Sequence, residues 1–473
     1  MNDIWTASEA AEATGGRTAG DWMAAGVSID TRTIEQGDLF IAVIGENSDG
    51  HDWVVDALKK GAAAAVVHRG IDGADPARLL IVDDTMKALE ALGRAARDRT
   101  PARVIGVTGS AGKTGCKEAI RHCLAETGAR VHASERSYNN HWGVPLTLAR
   151  MPRQLDFAVL EMGMNHAGEI AHLTDMVRPH VALITTIAPA HMAAFNSLDE
   201  IADAKAEIFQ SMDADGVAVL PADLPQTKRL AAAARNAGVG RLVTFGADDL
   251  ASVRLVCARV KPELSCVRAS ILDMDATFTV GLPGEHWVLN ALGVLATVQA
   301  AGGDLGRAAP ALTRLQPVDG RGARVEIPLE DGVMVMLDDS YNANPASMRA
   351  ALSVLGTSET TARGRRIAVL GDMLELGDES AEMHAGLADA VIESGARMVF
   401  LCGPDMAGLG KRLMGEVEVH HAPTSKELAP HVMRAVRSGD VVLVKGSLGS
   451  RMAVIVEALR SLGVADRGRS AVV

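Results

Sequence analysis

The chain has 473 residues with a formal net charge of −12, and 48 % of its residues are hydrophobic although only 3 % are aromatic. This length exceeds one ordinary hydrophobic core and predicts two to four domains. The acidic balance argues against nucleic-acid or anionic-membrane partners, while a local positive pocket for a small anion remains compatible with it. Five cysteines without a CxxC pair argue against a disulfide framework or a zinc site and favour reduced thiols in the cytoplasm. The N-terminal residues lack the pattern of a signal peptide, and the apolar runs are too short for membrane insertion.

The apolar segments divide the chain into three predicted domains, comprising residues 1–98, 99–317 and 318–473. The first domain has short apolar segments, at 38–45, 62–68 and 78–84. The second domain has buried-strand patterns that alternate with helices, at 103–109, 155–163 and 180–187. The third domain repeats this alternation, at 333–340, 365–372, 397–403 and 439–446. Such alternation predicts α/β domains with parallel sheets, in which ligands bind beyond the carboxyl ends of the strands.

The first of these strand ends carries a phosphate-loop pattern. The segment reads Thr108-Gly109-Ser110-Ala111-Gly112-Lys113-Thr114 and precedes a predicted helix. Glycines let backbone N–H groups wrap a polyphosphate at a helix N-terminus, where Lys113 adds charge and the Thr114 hydroxyl can reach Mg²⁺. The alternative is an ordinary glycine-rich turn. Val107 stands where a strict Walker A motif has its first glycine, so the spacing is the shorter G-x-x-G-K-T.

Two further strand ends carry candidate metal ligands. Glu161 ends the apolar run at 155–160, where a carboxylate is costly to bury unless it binds a cation. His191 follows the strand at 180–187 near the same sheet edge. The alternatives are an exposed strand end for the carboxylate and a structural role for the histidine.

Lys205 lies on the apolar face of a predicted helix. Ser197 and Glu200 form a capping-box pattern, so the helix begins there. At about 100° per residue, Lys205 falls inside the apolar stripe of that helix. The common explanation is a snorkelling lysine, whereas the alternative is a desolvated amine with a depressed pKa, which can react with CO₂ to form a carbamate.

These motifs together resemble the Mur ligase family. The G-x-x-G-K-T spacing resembles that of the superfamily of Mur ligases and folylpolyglutamate synthases. The order of the three predicted domains is similar to that of a Mur ligase, which has an N-terminal UDP-substrate domain, a central ATPase domain and a C-terminal Rossmann-like domain. The stretch Asp338-Asp339-Ser340-Tyr341-Asn342-Ala343-Asn344-Pro345 resembles the family member that adds D-alanyl-D-alanine. Gly115 departs from the family, which usually has Ser or Thr there.

The resemblance implies roles for residues in all three domains. Ser28, Thr31 and Arg32 would contact the UDP moiety, and the stretch at 37–53 that follows them resembles the same uridine-nucleotide domain. The expected substrate-binding residues elsewhere are Asn139, Asn140, Tyr341, Asn342 and Asn344. The expected nucleotide-binding residues are Gly109, Ser110, Ala111, Gly112, Lys113, Thr114, Asn290, Arg324 and Asp339, with Arg324 reaching the γ-phosphate. Thr114, Glu161 and His191 would bind magnesium, and Lys205 occupies the position of a carbamylated lysine. The expected catalytic residues are Lys113, Lys205, His191 and Arg324.

The resemblance implies ATP- and Mg²⁺-dependent ligation of D-alanyl-D-alanine to UDP-N-acetylmuramoyl-tripeptide through an acyl phosphate, by a cytoplasmic monomer. A folylpolyglutamate synthase generally lacks the N-terminal domain, and the family members that add other amino acids are disfavoured by the 338–345 stretch. A nucleotide-dependent switch without ligase activity would not need Glu161, Lys205 and Arg324 together.

Overall fold

The computed structural model describes residues 3–45, 48–135 and 137–470, so residues 46 and 47 of the 37–53 stretch lie outside the described part. Three large sheets follow one another along the chain, formed from residues 17–81, 103–280 and 323–445. The predicted succession of α/β domains with largely parallel sheets is confirmed, while the domain boundaries at 98 and 317 stay predictions. Within the described ranges, no helix combines the length and the apolar character that crossing a bilayer requires.

The N-terminal region contains a five-stranded sheet of order β2-β7-β6-β5-β4 and a two-stranded pair, β1 with β3. The strands are β1 Trp5–Thr6, β2 Arg17–Thr18, β3 Met23–Ala24, β4 Gly26–Ser28, β5 Asp38–Ile41, β6 Ala64–Val67 and β7 Leu79–Ile81. The helices are α1 Ala7–Thr14, α2 Val54–Lys59 and α3 Thr85–Arg99. Strands β5 and β6 are buried on both faces, which explains their unbroken apolar sequence.

The central region contains a nine-stranded sheet of order β16-β15-β14-β13-β12-β11-β8-β10-β9. The strands are β8 Arg103–Thr108, β9 Val131–Ala133, β10 Phe157–Glu161, β11 Val181–Ile184, β12 Val217–Pro221, β13 Arg241–Gly246, β14 Val253–Val260, β15 Ser265–Ile271 and β16 Met274–Val280. The helices are α4 Lys113–Glu126, α5 Gly143–Ala149, α6 Glu169–Val177, α7 Leu198–Ala206, α8 Thr227–Asn236, α9 Glu285–Ala300 and α10 Leu305–Ala311. Strand β8 pairs in parallel with both β10 and β11, so their carboxyl ends lie side by side.

The C-terminal region contains a six-stranded sheet of order β17-β18-β22-β19-β20-β21, parallel except for β17. The strands are β17 Ala323–Leu329, β18 Gly332–Asp339, β19 Arg366–Gly371, β20 Ala396–Cys402, β21 Glu418–Ala422 and β22 Val441–Lys445. The helices are α11 Pro345–Thr357, α12 Ser380–Ala385, α13 Ala388–Glu393, α14 Met406–Arg412, α15 Ser425–Ala435 and α16 Ala453–Ser470. Strands β18 and β22 are neighbours, which places their final residues Asp339 and Lys445 opposite one another.

The hydrophobic cores do not correspond singly to the three sheets, because one core is shared by two regions and one sheet has two cores. A single cluster of buried residues runs from Trp5 in the N-terminal region to Val239 in the central region. The Trp5 indole Nε1 donates a hydrogen bond to the Ala149 carbonyl oxygen at 2.9 Å within this cluster. The C-terminal sheet instead has separate clusters on its two faces. The N-terminal region is therefore fused to the central region through apolar packing, whereas the C-terminal region has cores of its own.

Candidate active site

A cavity of about 710 Å³ lies between the central and C-terminal regions. Its central wall is formed by the loop 110–115, Glu161 and His191, and its C-terminal wall by Arg321, Asp339 and the segment 341–344. Both walls consist of strand ends and the loops that follow them. The carboxyl ends of the two parallel sheets thus face one another, as expected for ligand binding in α/β folds.

The glycines of the phosphate loop are required by close contacts. Gly109 has φ +150°, and a β-carbon there would lie 1.9 Å from the Thr185 hydroxyl oxygen. Gly112 has φ +79° and faces Asn290, whose amide would lie 3.2 Å from a β-carbon. The Thr185 hydroxyl donates a hydrogen bond to the Ala111 carbonyl oxygen at 2.5 Å, which fixes the loop from behind. The loop therefore opens toward the cavity at the start of α4.

Lys113 is the first residue of α4 and lines the cavity. Its Nζ donates a hydrogen bond to the Gly109 carbonyl oxygen at 2.7 Å, so the ammonium lies over the loop. Burial lowers the pKa of Lys113, the nearby Arg321 charge lowers it further, and the Glu161 carboxylate opposes both effects. A concentration of positive charge at a helix N-terminus favours a polyphosphate.

Glu161 is 1 % exposed at the end of β10, which rules out the alternative of an exposed strand end. Its Oε2 accepts a hydrogen bond from the Thr114 hydroxyl at 2.7 Å, and its Oε1 accepts one from the Asn139 amide at 2.7 Å. The two bonds hold the buried carboxylate at the edge of the phosphate loop. Thr114 and Glu161, the two predicted metal ligands, therefore lie together, and the predicted substrate-binding residue Asn139 joins them in one cluster.

These oxygen donors fit magnesium rather than a protein-caged metal. Among the described residues, no group of three or more His, Cys, Asp and Glu side chains could hold a metal ion by itself. Mg²⁺ commonly uses one or two carboxylates together with substrate phosphates, and oxygen ligands such as those of Glu161 and Thr114 suit it. His191 also lines the cavity, with burial and the Lys113 charge lowering its pKa.

Lys205 is buried in α7 at 2 % exposure, so it is not a snorkelling lysine. Ser197 caps the helix by accepting a hydrogen bond from the Glu200 backbone N–H, as the sequence predicts. Burial and the Lys113 charge hold the pKa of Lys205 well below its ordinary value. Among the described residues, the Lys205 amine forms neither a hydrogen bond nor an ion pair. It therefore lies beside the site as a buried amine whose charged form is disfavoured.

The C-terminal wall contains an ion pair between Asp339 and Lys445, with Oδ2 and Nζ 2.6 Å apart. Lys445 also donates a hydrogen bond to the Asn342 carbonyl oxygen at 3.0 Å. Burial raises the pKa of Asp339, and the Lys445 charge opposes that shift. His286 lines the cavity too, and burial together with the Lys445 charge lowers its pKa to about 4. His286 is thus neutral at physiological pH.

The arginine that faces this cavity is Arg321, whereas Arg324 does not line it. Arg324 lies within β17, and its guanidinium lies 3.9 Å from Glu326 on the same strand. Arg321 lies in the loop before β17, where its guanidinium stacks 4.2 Å from the Tyr341 ring centre and donates to the Ser137 hydroxyl at 2.9 Å. Arg321 therefore lines the cavity and Arg324 does not, while the predicted contact of Arg324 with the γ-phosphate stays a prediction.

The segment 341–344 joins the two walls. The Asn344 side-chain amide donates a hydrogen bond to the Ser110 carbonyl oxygen of the phosphate loop at 3.2 Å. Asn344 also caps α11 by a reciprocal pair of bonds with Ser347. Tyr341 and Asn342 line the cavity beside it. Three predicted substrate-binding residues therefore lie at the interface, next to the phosphate loop.

Four predicted substrate-binding residues do not line this cavity. Ser28 is buried and donates a hydrogen bond to the Asp30 carbonyl oxygen at 3.1 Å. Thr31 follows in the same N-terminal loop, and Arg32 is 87 % exposed and pairs with Asp30 at 2.7 Å. Asn140 accepts a hydrogen bond from the Gly143 backbone N–H at 3.0 Å, which fixes its loop. The N-terminal residues belong to a separate surface, and Asn140 supports the loop that carries Asn139.

Several cavity residues were not predicted from the sequence. They include Arg321, Trp287, Glu375 and Lys445. Lys445 ends the apolar strand β22 and Arg321 lies between glycines, so each had a local signal. A β-carbon at Gly115 would lie 2.9 Å from the Trp287 ring. The tryptophan thus takes the space that a side chain at 115 needs, which accounts for glycine at that position.

Comparisons with known proteins agree with this arrangement. Three family models match the chain: the Mur ligase family catalytic domain at residues 24–99, the Mur ligase middle domain at 107–298 and the Mur ligase glutamate ligase domain at 320–448. The UDP-N-acetylmuramoyl-tripeptide–D-alanyl-D-alanine ligase of Bacillus subtilis is 34 % identical, over 92 % of this chain and 93 % of the relative.

Two solved structures are similar over nearly their whole length. A crystal structure of MurF from Acinetobacter baumannii has a TM-score of 0.82 and 30 % identity, covering 97 % of this chain and 99 % of that one. The MurF ligase of Thermotoga maritima in complex with ADP has a TM-score of 0.76 and 25 % identity, covering 93 % and 98 %. Full-length similarity in sequence and structure shows that the chain belongs to the Mur ligase family.

Proposed function

We propose that the chain joins D-alanyl-D-alanine to UDP-N-acetylmuramoyl-tripeptide with ATP, in the cytoplasmic synthesis of peptidoglycan precursors. One observation carries this proposal: the cavity brings the phosphate loop against the 338–345 segment, with Asn344 bonded to Ser110. The relatives named for this reaction cover more than nine-tenths of the chain. Both walls of the cavity come from one chain, so the proposed reaction needs no residue from a second subunit, in keeping with the expected monomer.

ATP binds with its phosphates on the loop 109–114, and the similar Thermotoga structure holds ADP. Asn290 faces the loop at Gly112, and Asp339 lines the opposite wall of the cavity, where it would contact the ribose. Thr114, Glu161 and His191 would hold Mg²⁺. When bound, Mg²⁺ supplies positive charge against the phosphates.

The reaction needs positioning and charge more than covalent side-chain chemistry. The terminal carboxylate of the tripeptide attacks the γ-phosphorus, the bond to the β-phosphate oxygen breaks, and an acyl phosphate and ADP form. The amine of D-alanyl-D-alanine then attacks the acyl carbon, phosphate leaves, and a proton is released from the nitrogen. Lys113 and Arg321 offset the negative charge that develops on the transferred group. Packing of the two walls excludes water from the acyl phosphate.

Lys205 acts as a carbamate in this proposal. A neutral amine attacks CO₂, forms a C–N bond and loses one proton, which gives an anionic group. The buried position of Lys205 and its lowered pKa favour the neutral form of the amine. The product carries its negative charge close to Lys113, whose charge already acts on this amine. This anionic group would help to hold Mg²⁺ together with Thr114, Glu161 and His191.

The N-terminal region holds the UDP moiety of the tripeptide substrate. Ser28 ends the parallel strand β4, and Thr31 and Arg32 lie in the loop that follows it. The shared core keeps this region fixed on the central sheet. The tripeptide can therefore extend from a rigid anchor toward the phosphate loop.

Phosphate release from ATP and Mg²⁺ tests the reaction, with UDP-N-acetylmuramoyl-tripeptide and D-alanyl-D-alanine supplied singly or together. We expect release only with both substrates, and a pentapeptide product by mass spectrometry. Release that needs neither substrate indicates an ATPase or a switch, and it overturns the ligase assignment. Efficient replacement of the dipeptide by another amino acid overturns the substrate assignment alone.

Lys113→Ala tests the phosphate loop in the same assay. We expect turnover to be abolished, because the Lys113 ammonium lies directly over the loop and alanine removes that charge. The matched control is Lys228→Ala, since Lys228 is an exposed lysine of α8. Near-normal activity of the Lys113 variant would refute the role of this loop.

A further inference from the structure

His191 of the central region and Glu375 of the C-terminal region meet across the cavity. The His191 Nδ1 and Glu375 Oε2 atoms are 2.5 Å apart, and both residues line the cavity. Both also have left-handed backbone conformations, with φ +57° for His191 and φ +65° for Glu375. Such conformations are rare in non-glycine residues and persist where surrounding structure imposes them, often at functional sites. Here two of them face one another.

Backbone contacts hold the two residues together. The Ala193 backbone N–H donates a hydrogen bond to the Glu375 carbonyl oxygen at 3.2 Å. Two residues later Gly377 has φ +64°, and a β-carbon there would lie 3.2 Å from Ala193 Cα. The segments 191–194 and 375–377 therefore fit backbone against backbone, and this fit exists only when the C-terminal region packs on the central region.

The segment before Glu375 is fixed within its own region. The Met373 backbone N–H donates to His384 Nε2 at 2.8 Å, and His384 Nδ1 donates to the Ser380 carbonyl oxygen at 2.7 Å. The Leu374 backbone N–H donates to the Ser447 hydroxyl at 2.9 Å. Glu375 is thus presented by a supported turn, although its own side chain is 56 % exposed.

A carboxylate on one imidazole nitrogen determines the state of the other. Nδ1 of His191 donates its proton toward Glu375, so Nε2 keeps a lone pair and the ring orientation is fixed. Carboxylates that bind metal-ligating histidines in this way raise the basicity of the ligand nitrogen. The structure therefore supplies such a partner for His191 from the opposite wall.

We propose that Glu375 is a positioning residue that orients His191 for magnesium only when the C-terminal region is packed on the central region. This inference rests on the proposed function, because His191 is a ligand only in that proposal. It couples the arrangement of the two regions to the metal site. A loose C-terminal region would leave His191 unoriented and the site incomplete.

Mn²⁺ with ADP provides the test, because Mn²⁺ replaces Mg²⁺ and is detected by electron paramagnetic resonance. Wild type, Glu375→Ala, Glu375→Gln and His191→Gln are titrated with Mn²⁺, and nitrogen hyperfine coupling from the imidazole is recorded by pulsed methods. The matched control is Glu379→Gln, since Glu379 is an exposed glutamate four residues away.

We expect Glu375→Ala to weaken Mn²⁺ binding about 10-fold and to lose the nitrogen coupling, as His191→Gln does. Glu375→Gln should keep part of the Mn²⁺ affinity and part of the nitrogen coupling, because its amide oxygen still accepts a hydrogen bond from Nδ1 of His191. Glu379→Gln should match the wild type in both measurements. Wild-type affinity and coupling in Glu375→Ala overturn the proposal. Absence of the coupling in wild type overturns it as well.

Pentapeptide synthesis by the wild-type enzyme separates this inference from the function on which it rests. Product formation together with an unchanged Glu375→Ala metal site refutes only the role of Glu375. Failure of the wild type to form product refutes the proposed ligase, and with it the reaction that the positioning serves.

Discussion

The Trp287 indole lies against Gly115 in the first turn of α4, 2.9 Å from the place that a β-carbon at residue 115 would occupy. Trp287 also lines the cavity beside the phosphate loop. The glycine and the tryptophan are therefore a matched pair, in which the bulk of one residue requires the absence of a side chain at the other.

Gly115→Ser is expected to raise the KM for ATP about fivefold or more, because overpacking costs about 1–3 kcal/mol and the indole must move into the cavity. Steady-state kinetics with varied ATP measures the effect. In a Trp287→Ala background, where the indole is absent, Gly115→Ser should raise the KM for ATP much less than it does in the wild type. Equal KM values for wild type and Gly115→Ser would show that the contact is irrelevant to nucleotide binding.

The variants Arg321→Ala and Arg324→Ala test which of two nearby arginines serves the reaction. Arg321 precedes β17, and Arg324 lies within it. We expect Arg321→Ala to lower kcat about 100-fold or more, because its guanidinium faces the cavity and stacks on Tyr341. Arg324→Ala should stay within about twofold of wild type, as surface substitutions do. The measurement is kcat for pentapeptide formation by both variants. A larger loss of kcat in Arg324→Ala than in Arg321→Ala would support Arg324 as the phosphate-binding arginine.

Lys205→Met should abolish turnover yet stabilise the fold by about 1 kcal/mol or more, since it removes a buried amine without a partner. Burial and the Lys113 charge lower the pKa of Lys205, so the folded state binds the proton of this amine less tightly than the unfolded state does. Unfolding then takes up a proton, and wild-type stability rises with pH between the folded and unfolded pKa values.

Denaturant titration in CO₂-free buffer, from about pH 7 to about pH 9, measures that dependence. The Lys205→Met variant should show a smaller rise in stability than wild type. An identical pH dependence of the two proteins would mean that Lys205 is protonated in the fold. A fully active Lys205→Met would refute the carbamate.

Trp5→Ala is expected to destabilise the N-terminal and central regions together by about 3–5 kcal/mol. Trp5 is 1 % exposed, bonds to Ala149 of the central region and carries the Arg99 guanidinium 4.0 Å above its ring. Hydrogen exchange should show both regions losing protection in one step. Trp53→Ala is the control, since Trp53 is 52 % exposed and its removal should change stability by less than about 0.5 kcal/mol. Loss of protection in the N-terminal region alone would contradict a shared core.

The sequence predicts those site residues whose chemistry depends on the local backbone. The segment from Gly109 to Thr114 can be predicted from the sequence because a phosphate loop needs glycine, lysine and a helix start in one short segment. Lys205 falls on the buried face because the period of an α-helix alone decides which side it takes. Glu161 can be predicted as a functional residue because it is a carboxylate at the end of an otherwise apolar strand. Each of these positions is where the sequence predicts it.

The tertiary structure decides which side chains meet across the cavity. Arg321 and Arg324 are three residues apart and chemically identical, and only the point where β17 begins determines which of them faces the phosphate loop. The pairing of His191 with Glu375 depends on how two regions pack. Local periodicity carries no information about contacts between residues far apart in the chain, because these are set by the orientation of whole sheets. The sequence thus determines the chemistry of each wall, and the packing of the two sheets determines the site between them.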